Sequence, residues 1–302
     1  MADDDEFDVE KYREERPMDY LLAVQLIREQ QDPIIKKLTL DNVLKIMHLH
    51  VPDVLYKYYS LNEDVELNEN KLSTLRNSKI YLSDLKSLND PFDSKGYFYR
   101  NEELMRFQEL KSYDGRILDD VFVSHKIASL SKVGINNMNM WSHYSYNHAG
   151  YCVSYDMRDE NQDLTFRSCT HPVQYISERL DITDLMVSQI ENILNEKNKQ
   201  IAMGRKTILI DDFTLPFIIP LLNNLKGLAW KQEEEFRCNI GNWEANGGFV
   251  RANPKAIYIG LKCLPEHAKT LVEIGFELNV PVYIMSFDEK SSRHELVADK
   301  II

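Results

Sequence analysis

Glycine is scarce in this chain, and no glycine-rich functional motif is present. The 302 residues include 11 glycines, which are scattered along the sequence. Neither a Gly-x-Gly-x-x-Gly fingerprint, nor a P-loop, nor a nucleophile elbow occurs. Those motifs let backbone approach a phosphate or expose a nucleophile at a sharp turn. Their absence argues against a kinase, a Rossmann dehydrogenase and an α/β-hydrolase.

Cysteines and long apolar runs are also few. The four cysteines are far apart and form no Cys-x-x-Cys pair, which argues against a zinc ribbon or a disulfide framework. No run approaches the roughly 18 apolar residues of a membrane span. The acidic N-terminus has no apolar segment typical of a signal peptide. We therefore expect a cytoplasmic protein that makes no contact with a membrane.

Acidic residues outnumber basic ones, and half of the acidic excess lies in the first fifteen residues. The formal net charge is -12, and the first fifteen residues, with eight acids and two bases, carry -6 of it. The remainder is only mildly acidic. This distribution predicts no general nucleic-acid binding surface, although a local basic groove for a phosphate-bearing ligand remains open.

The hydrophobic pattern predicts a helical beginning followed by mixed structure. With 43% hydrophobic and 28% charged residues, the composition is that of a globular protein. We predict an acidic tail at residues 1–16, a helical extension at 17–52 that could contact a partner, and an α+β domain at 53–302. The extension has two apolar stripes. They consist of Met18, Leu21, Leu22 and Leu26, and, after a Thr39 cap, of Val43, Ile46, Met47 and His50.

Strands and helices alternate irregularly after residue 53. Strands are predicted at 54–59, 80–83, 121–130, 150–155, 256–261 and 280–287. Helices are predicted between the first two strands, at 182–194 and at 215–229. The fold class that follows is α+β, with a single mixed or split β-sheet domain, flanking helices and the N-terminal helical extension.

Residues 230–237 read Trp-Lys-Gln-Glu-Glu-Glu-Phe-Arg and are predicted to begin a strand. Alternation along a strand would place Glu233, Glu235 and Arg237 on one face and Phe236 on the other. Two carboxylates beside a guanidinium are costly to desolvate, so a solvated edge and a pocket wall are both open interpretations.

Two further segments hold candidate binding residues. Asn89 and Asp90 precede Pro91, which suits a structural Asx-turn, although the pair could also line a pocket at the end of a strand. Ser129 and Ser131 share a strand face and could shape a polar pocket.

An aromatic and imidazole cluster precedes the strand predicted at 150–155. Trp141, His143 and Tyr144, followed by His148, could form either a ligand pocket or an anchor in the core. His143 and His148 are five positions apart, but no third ligand with zinc-like spacing is evident, so we predict no metal site.

Taken in order, these motifs resemble a widespread uncharacterised bacterial family of domains of unknown function. The resemblance extends over residues 54–287 and implies no activity. Its residues are Tyr56-Lys57-Tyr58, Tyr81 and Ser83, Asn89-Asp90-Pro91-Phe92, Ser129-Leu-Ser131, Trp141-Ser-His143-Tyr144, His148 and Gly150, and Lys226, Trp230, Glu233, Glu235 and Arg237.

The arrangement is also loosely similar to the three-part layout of ADP-ribosyltransferases. That resemblance implies that Lys57, with Tyr58 beside it, holds the ribose or phosphate of NAD, where those enzymes carry Arg or His. It implies further that Tyr81 or Ser83 supports the nicotinamide half, and that Glu233 or Glu235 stabilises the oxocarbenium-like centre. NAD would be a substrate, and no other cofactor would be required.

Three functions remain open on this sequence. The first is an NAD-using ADP-ribosyltransferase or hydrolase, such as a toxin or defence effector that modifies nucleic acid or protein. The second is a metal-dependent nuclease in which Asp90, Glu233 and Glu235 hold the cation. The third is a non-catalytic module that senses a ligand or binds a partner.

Overall fold

The computed structural model describes residues 7–16, 19, 30, 32–93, 95–113, 125–209, 215–241, 247–289, 291–292 and 295–302. The described residues fall into two compact units. Unit 1 is drawn from Met1–His50, Leu85–His125 and Gln174–Leu228, and unit 2 from Val51–Asp84, Lys126–Val173 and Ala229–Ile302. Within the described ranges, no helix has both the length and the apolar character needed to cross a bilayer.

The secondary structure is mixed throughout the described chain. The helices are α1 Val9–Glu15, α2 Pro33–Leu49, α3 Val65–Arg76, α4 Asn101–Leu104, α5 Met138–Tyr144, α6 Leu164–Ser168, α7 Thr183–Ala202, α8 Leu215–Asn223 and α9 Pro265–Leu278. The strands are β1 Val54–Tyr59, β2 Lys79–Tyr81, β3 Ser83–Asp84, β4 Tyr97–Phe98, β5 His125–Ser131, β6 Tyr151–Asp156, β7 Thr170–Pro172, β8 Gln174–Ile176, β9 Leu180–Asp181, β10 Leu225–Gly227, β11 Glu235–Gly241, β12 Phe249–Arg251, β13 Pro254–Ile259, β14 Val282–Phe287 and β15 Leu296–Lys300.

Unit 2 is built on one large mixed sheet. Among the described residues its nine strands follow the order β15-β14-β13-β6-β1-β5-β11-β7, with β3 paired to β5. β13 and β14 run parallel, whereas β1 is antiparallel to both β5 and β6. The Val-Leu-Tyr-Lys-Tyr-Tyr sequence of β1 is rich in residues that suit a pleated surface, and its predicted bounds, 54–59, are confirmed.

The two faces of this sheet are covered by different helices. On one face, Leu55 of β1 and Phe236 of β11 join a core that includes Leu72 of α3 and Leu271 of α9. Asp64 caps α3 by accepting a hydrogen bond from the backbone nitrogen of Leu67, at 3.0 Å. The opposite face carries a second cluster, in which residues of α5 pack on β1, β6 and β14. Its buried members are Tyr58, Met140, Trp141, Cys152, Met285 and Leu296.

Unit 1 is organised around the long helix α7. Its apolar side, which includes Met186 and Ile190, packs with Tyr97 of β4 and with Ile218 and Leu222 of α8. Short parallel pairs join β4 to β9 and β10 to β8. Among the described residues, hydrophobic burial between α7, α8 and β4 therefore stabilises this unit.

Comparison with the sequence-based elements confirms the α+β class. The helix predicted at 182–194 is observed as α7, and the one at 215–229 ends earlier, at Asn223, where β10 follows. Thr39 was predicted as a cap but lies inside α2, because Asp32 accepts bonds from Ile34 and Ile35 and starts the helix at Pro33. The stripe of Met18, Leu21, Leu22 and Leu26 and residues 121–124 lie outside the described residues. The domain boundary at residue 53 stays a prediction.

Candidate functional site

Glu235 and Arg237 form a bidentate ion pair in the interior of unit 2. Arg237 Nε donates to Glu235 Oε1 at 2.8 Å, and Nη2 donates to Oε2 at 3.0 Å. Residues i and i+2 of β11 share a face, so the guanidinium reaches back to both oxygens. The Arg237 side chain is fully buried and that of Glu235 is 4% exposed. A planar guanidinium satisfies both carboxylate oxygens at once, and this makes the buried charges tolerable.

The prediction that Glu233 lies on the same strand face as Glu235 is wrong. Glu233 ends a 3-10 turn, Leu228–Glu233, and β11 begins only at Glu235. Between them Glu234 has a φ of 42°, in the left-handed region that a non-glycine residue rarely adopts. This one residue breaks the extended backbone, so the period-two argument fails upstream of Glu235.

The turn at Glu234 is held by the neighbouring strand β5 and the following segment. Ser131 Oγ donates to the carbonyl of Glu233 at 2.6 Å, and the backbone nitrogen of Lys132 donates to that of Glu234 at 3.0 Å. The backbone nitrogen of Val173 donates to the carbonyl of Glu235 at 2.9 Å. The surrounding hydrogen bonds therefore determine a conformation that would otherwise be unfavourable, which is a common property of functional sites.

Glu233 is buried and makes a hydrogen bond with Tyr144 of α5. The residue is 6% exposed, and the Tyr144 hydroxyl donates to its Oε1. Tyr144 is itself partly exposed. The pair therefore links a buried carboxylate to the protein surface through a phenol that can donate or accept a proton.

Trp141 lies deeper on the same helix and serves as a core anchor. It has no exposed surface, its ring meets that of Tyr58 edge-on at 5.2 Å between centroids, and its Nε1 donates to the carbonyl of Ile135 at 2.7 Å. Tyr58 donates in turn to the carbonyl of Gly134 at 3.1 Å. Of the two interpretations left open by the sequence, the described contacts of Trp141 match the core anchor.

A tight left-handed turn follows α5, and the backbone of β1 comes close to Gly150, which ends the motif. Tyr146, Asn147 and His148 have φ values of 53°, 54° and 71°. A Cβ atom at Gly150 would lie 1.9 Å from the carbonyl oxygen of Tyr59, so no other residue fits there without moving the backbone. His148 stacks on the Trp141 indole, and burial together with Lys262 lowers the pKa of its imidazole.

Lys57 is placed on the face of β1 opposite to Tyr58. Its Cα partner in β6 is Val153, which belongs to the core on the α3 and α9 side. The ammonium donates to the carbonyl of Ser129 at 3.0 Å and lies 5.4 Å from the centroid of the Tyr59 ring. Desolvation lowers the pKa of Lys57 to about 8, against the opposing influence of Glu235.

His171 of β7 is the Cα partner of Arg237 in β11, and both residues are buried. Burial alone lowers the pKa of this imidazole from 6.5 to about 4. The folded protein therefore binds fewer protons than the unfolded chain between these two values.

Stability is accordingly expected to fall as the pH is lowered from 6.5 to 4, with a contribution from His171 on the order of 3 kcal/mol. Urea unfolding across this range should show a steeper loss for the wild type than for His171→Gln, which cannot titrate. Parallel pH profiles for the two proteins would contradict the assignment.

None of the described contacts joins the remaining predicted residues to Glu233. Tyr81 is exposed and its ring meets that of Phe249 at 5.4 Å, and Ser83 pairs through the backbone of β3 with Ile127 of β5. His143 is exposed and lies beside the Tyr144 ring at 6.4 Å between centroids.

Asn89 and Asp90 belong to unit 1. Asp90 Oδ1 accepts from the backbone nitrogen of Phe92 at 2.9 Å, which is the predicted Asx-turn. Asp90 also lines a cavity of that unit, whereas Asn89 is exposed and outside its lining. Over the part of the chain that the structure describes, no group of three or more His, Cys, Asp or Glu side chains is arranged to hold a metal ion.

Sequence reasoning missed two contributors to this site. His171 follows no motif, and only its pairing with Arg237 reveals it. The left-handed conformation of Glu234 could not be predicted from the sequence either, because the position holds neither glycine nor asparagine. Both depend on neighbours distant in the chain.

Comparison with curated proteins and with solved structures gives no match. Residues 140–238 match the model of a family described as Protein of unknown function (DUF2971). The match includes Trp141 and Tyr144 at one end and Glu233, Glu235 and Arg237 at the other, so it contains both partners of the Tyr144–Glu233 and Glu235–Arg237 contacts. The expected resemblance to an uncharacterised family is thereby confirmed for residues 140–238, where a DUF2971 domain is found.

Proposed function

We propose that this protein is an NAD-dependent enzyme of the ADP-ribosyltransferase type, with Glu233 as its catalytic carboxylate. A toxin or defence effector that modifies nucleic acid or protein is the class of protein that we expect. The observation that carries the proposal is the hydrogen bond from Tyr144 to the buried Glu233.

The two glutamates have different environments, and this difference selects Glu233. Both oxygens of Glu235 accept from the Arg237 guanidinium, so its charge is neutralised and its geometry is fixed. A carboxylate held in this way is poorly suited to stabilise a new positive charge. Glu233 accepts at Oε1 from the phenol of Tyr144, which helps to orient the carboxylate.

The chemistry requires a positioned carboxylate in a site of low dielectric. Cleavage of the bond between ribose and nicotinamide releases a neutral leaving group from a cation and develops positive charge on the ribose. An oriented buried carboxylate stabilises that charge more strongly than one in water. Ser131 fixes the backbone carbonyl of Glu233, Lys132 fixes that of Glu234, and Tyr144 orients the Glu233 carboxylate before the substrate arrives.

The proposal does not require Lys57 in the site. The side chain of Lys57 lies on the sheet face opposite to Tyr58 and Trp141, and its ammonium donates to the carbonyl of Ser129. The resemblance implies that Lys57 holds the ribose or phosphate of NAD. That role stays a prediction, which the variants described below do not test.

Glu233→Gln is expected to lower the rate of nicotinamide release from NAD by about 100- to 1000-fold, because it removes the charge and keeps the shape. The measurement is chromatographic, on purified protein with NAD, and is repeated with labelled NAD and a mixture of protein and nucleic acid to detect transfer. Tyr144→Phe, which removes the hydroxyl that orients Glu233, should show a smaller loss.

Glu234→Gln is the matched control. Its side chain is 54% exposed and lies 4.0 Å from Lys132, so the same change one residue away should leave the rate unaltered. Circular dichroism verifies that each variant is folded. Equal nicotinamide release by wild type and Glu233→Gln, or no release and no labelled product from the wild type, would overturn the proposal.

The alternative functions have weaker support from the described contacts. A nuclease site built from Asp90, Glu233 and Glu235 would need Glu235 to leave Arg237. A ligand-sensing module is the interpretation that a wild type without turnover would favour.

A further inference from the structure

Unit 1 contains a cavity of about 600 Å³ that has no part in the proposed reaction. Its walls come from the turn that begins at Leu85, the following loop, β4 and the residue before β9. Its volume is in the range of sites that hold small molecules. Its lining consists of Leu85, Lys86, Leu88, Asp90, Pro91, Asp93, Lys95, Tyr97, Phe98, Tyr99, Asn101, Arg179 and Asn223.

Three cations, Lys86, Lys95 and Arg179, have exposed side chains in this lining. Arg179 is held in place, since its Nε donates to the carbonyl of Lys95 at 2.8 Å and its Nη2 donates to that of Tyr97. Two of the five donors of the guanidinium are used in these bonds, which leaves three for a ligand. Such a fixed planar cation suits a phosphate group.

Two carboxylates lie deeper, with Asp90 9% and Asp93 6% exposed. The Asx-turn engages only Oδ1 of Asp90, so its Oδ2 can accept from a hydroxyl group. Buried carboxylates below exposed cations favour a ligand with hydroxyl donors at one end and an anion at the other.

Aromatic rings form the remaining wall. Tyr97 is buried, Tyr99 is partly buried, and Phe98 is 40% exposed with the Arg179 guanidinium 5.7 Å from its centroid. A flat heterocycle can pack against such rings, and the apolar side chains of Leu85 and Leu88 extend the same surface.

We propose that this cavity binds a nucleotide, with the base against the aromatic wall, the ribose hydroxyls at Asp90 and the phosphate at Arg179 and the neighbouring lysines. The site lies within unit 1 and does not rest on the function proposed for Glu233. Adenosine monophosphate is the probe, because it carries all three groups and cannot release nicotinamide.

Isothermal titration of the full chain with adenosine monophosphate is expected to show saturable binding of one molecule per chain. Adenosine and inorganic phosphate should each bind at least about tenfold more weakly, since adenosine lacks the phosphate contacts and inorganic phosphate lacks those of the base and the ribose. Arg179→Gln should weaken binding of the monophosphate by about tenfold or more and leave that of adenosine unchanged. Asp90→Asn, which preserves the Asx-turn, should weaken both.

Arg106→Gln and Glu233→Gln are the controls. Arg106 is an exposed arginine of the same unit that pairs with Glu103 and Glu191 outside the cavity, so its loss should not change binding. Glu233→Gln should bind the monophosphate as the wild type does, which separates this proposal from the enzymatic one. No binding by the wild type, inorganic phosphate binding as tightly as the nucleotide, or undiminished binding by Arg179→Gln would overturn the nucleotide site.

Discussion

Arg237→Met is expected to lower the free energy of unfolding by about 3–5 kcal/mol. The substitution removes the guanidinium that satisfies both oxygens of Glu235 and leaves a carboxylate in a buried position. The penalty comes mainly from a buried carboxylate that has lost its bidentate partner, and less from the attraction between the two charges. Urea unfolding at neutral pH, followed by circular dichroism, measures the change.

Removing both charges tests this explanation. The double variant Glu235→Leu with Arg237→Met should be more stable than Arg237→Met alone, because both members of the bidentate pair are removed together. Arg76→Met is the matched control, since Arg76 pairs with Glu277 at 2.8 Å on the surface of the same unit. That change should cost no more than about 1 kcal/mol. A similar cost at the two arginines would mean that Glu235 and Arg237 are not a structural anchor.

Trp141→Ala is expected to lower the free energy of unfolding by about 3–5 kcal/mol, because it opens a large cavity between α5 and the sheet. Trp141 has no exposed surface and packs edge-on against Tyr58. The helix that carries it also carries Tyr144, so the variant should lose the orientation of Glu233 as well. Thermal and urea unfolding measure the stability.

Trp141→Phe separates packing from hydrogen bonding at this position. Phenylalanine keeps much of the apolar contact with Tyr58 and leaves the carbonyl of Ile135 without its donor, so a loss on the order of 1–3 kcal/mol is expected. If Trp141→Ala were as stable as the wild type while the activity disappeared, Trp141 would be a substrate contact and not a core residue.

The strands and helices that could be predicted are those whose own residues carry a clear period. The β-favouring run 54–59 forms β1, and Leu72 and Leu75 of α3 face inward as their spacing indicates. The apolar residues of α7 likewise recur at helical spacing. Strand partners could not be predicted, because β1 lies beside β5 and β6, which are distant along the chain.

In the candidate site, the sequence indicated part of the arrangement. Alternation along β11 correctly places Glu235 with Arg237 and puts Phe236 in the core. It places Glu233 incorrectly, since the left-handed backbone at Glu234 depends on hydrogen bonds from β5. Local periodicity holds only while the backbone stays regular.

The sequence by itself determined the α+β class, the runs that form the regular elements and the residue types available for chemistry. It did so because propensity and alternation are properties of neighbouring residues. The tertiary structure alone decided that Arg237 neutralises Glu235, that Tyr144 orients Glu233 and that Arg179 reaches a cavity shared with Asp90. With the exception of the Arg237 pair, those contacts join residues far apart in the chain. Even for that pair, the burial that gives the charges their effect comes from the surrounding fold.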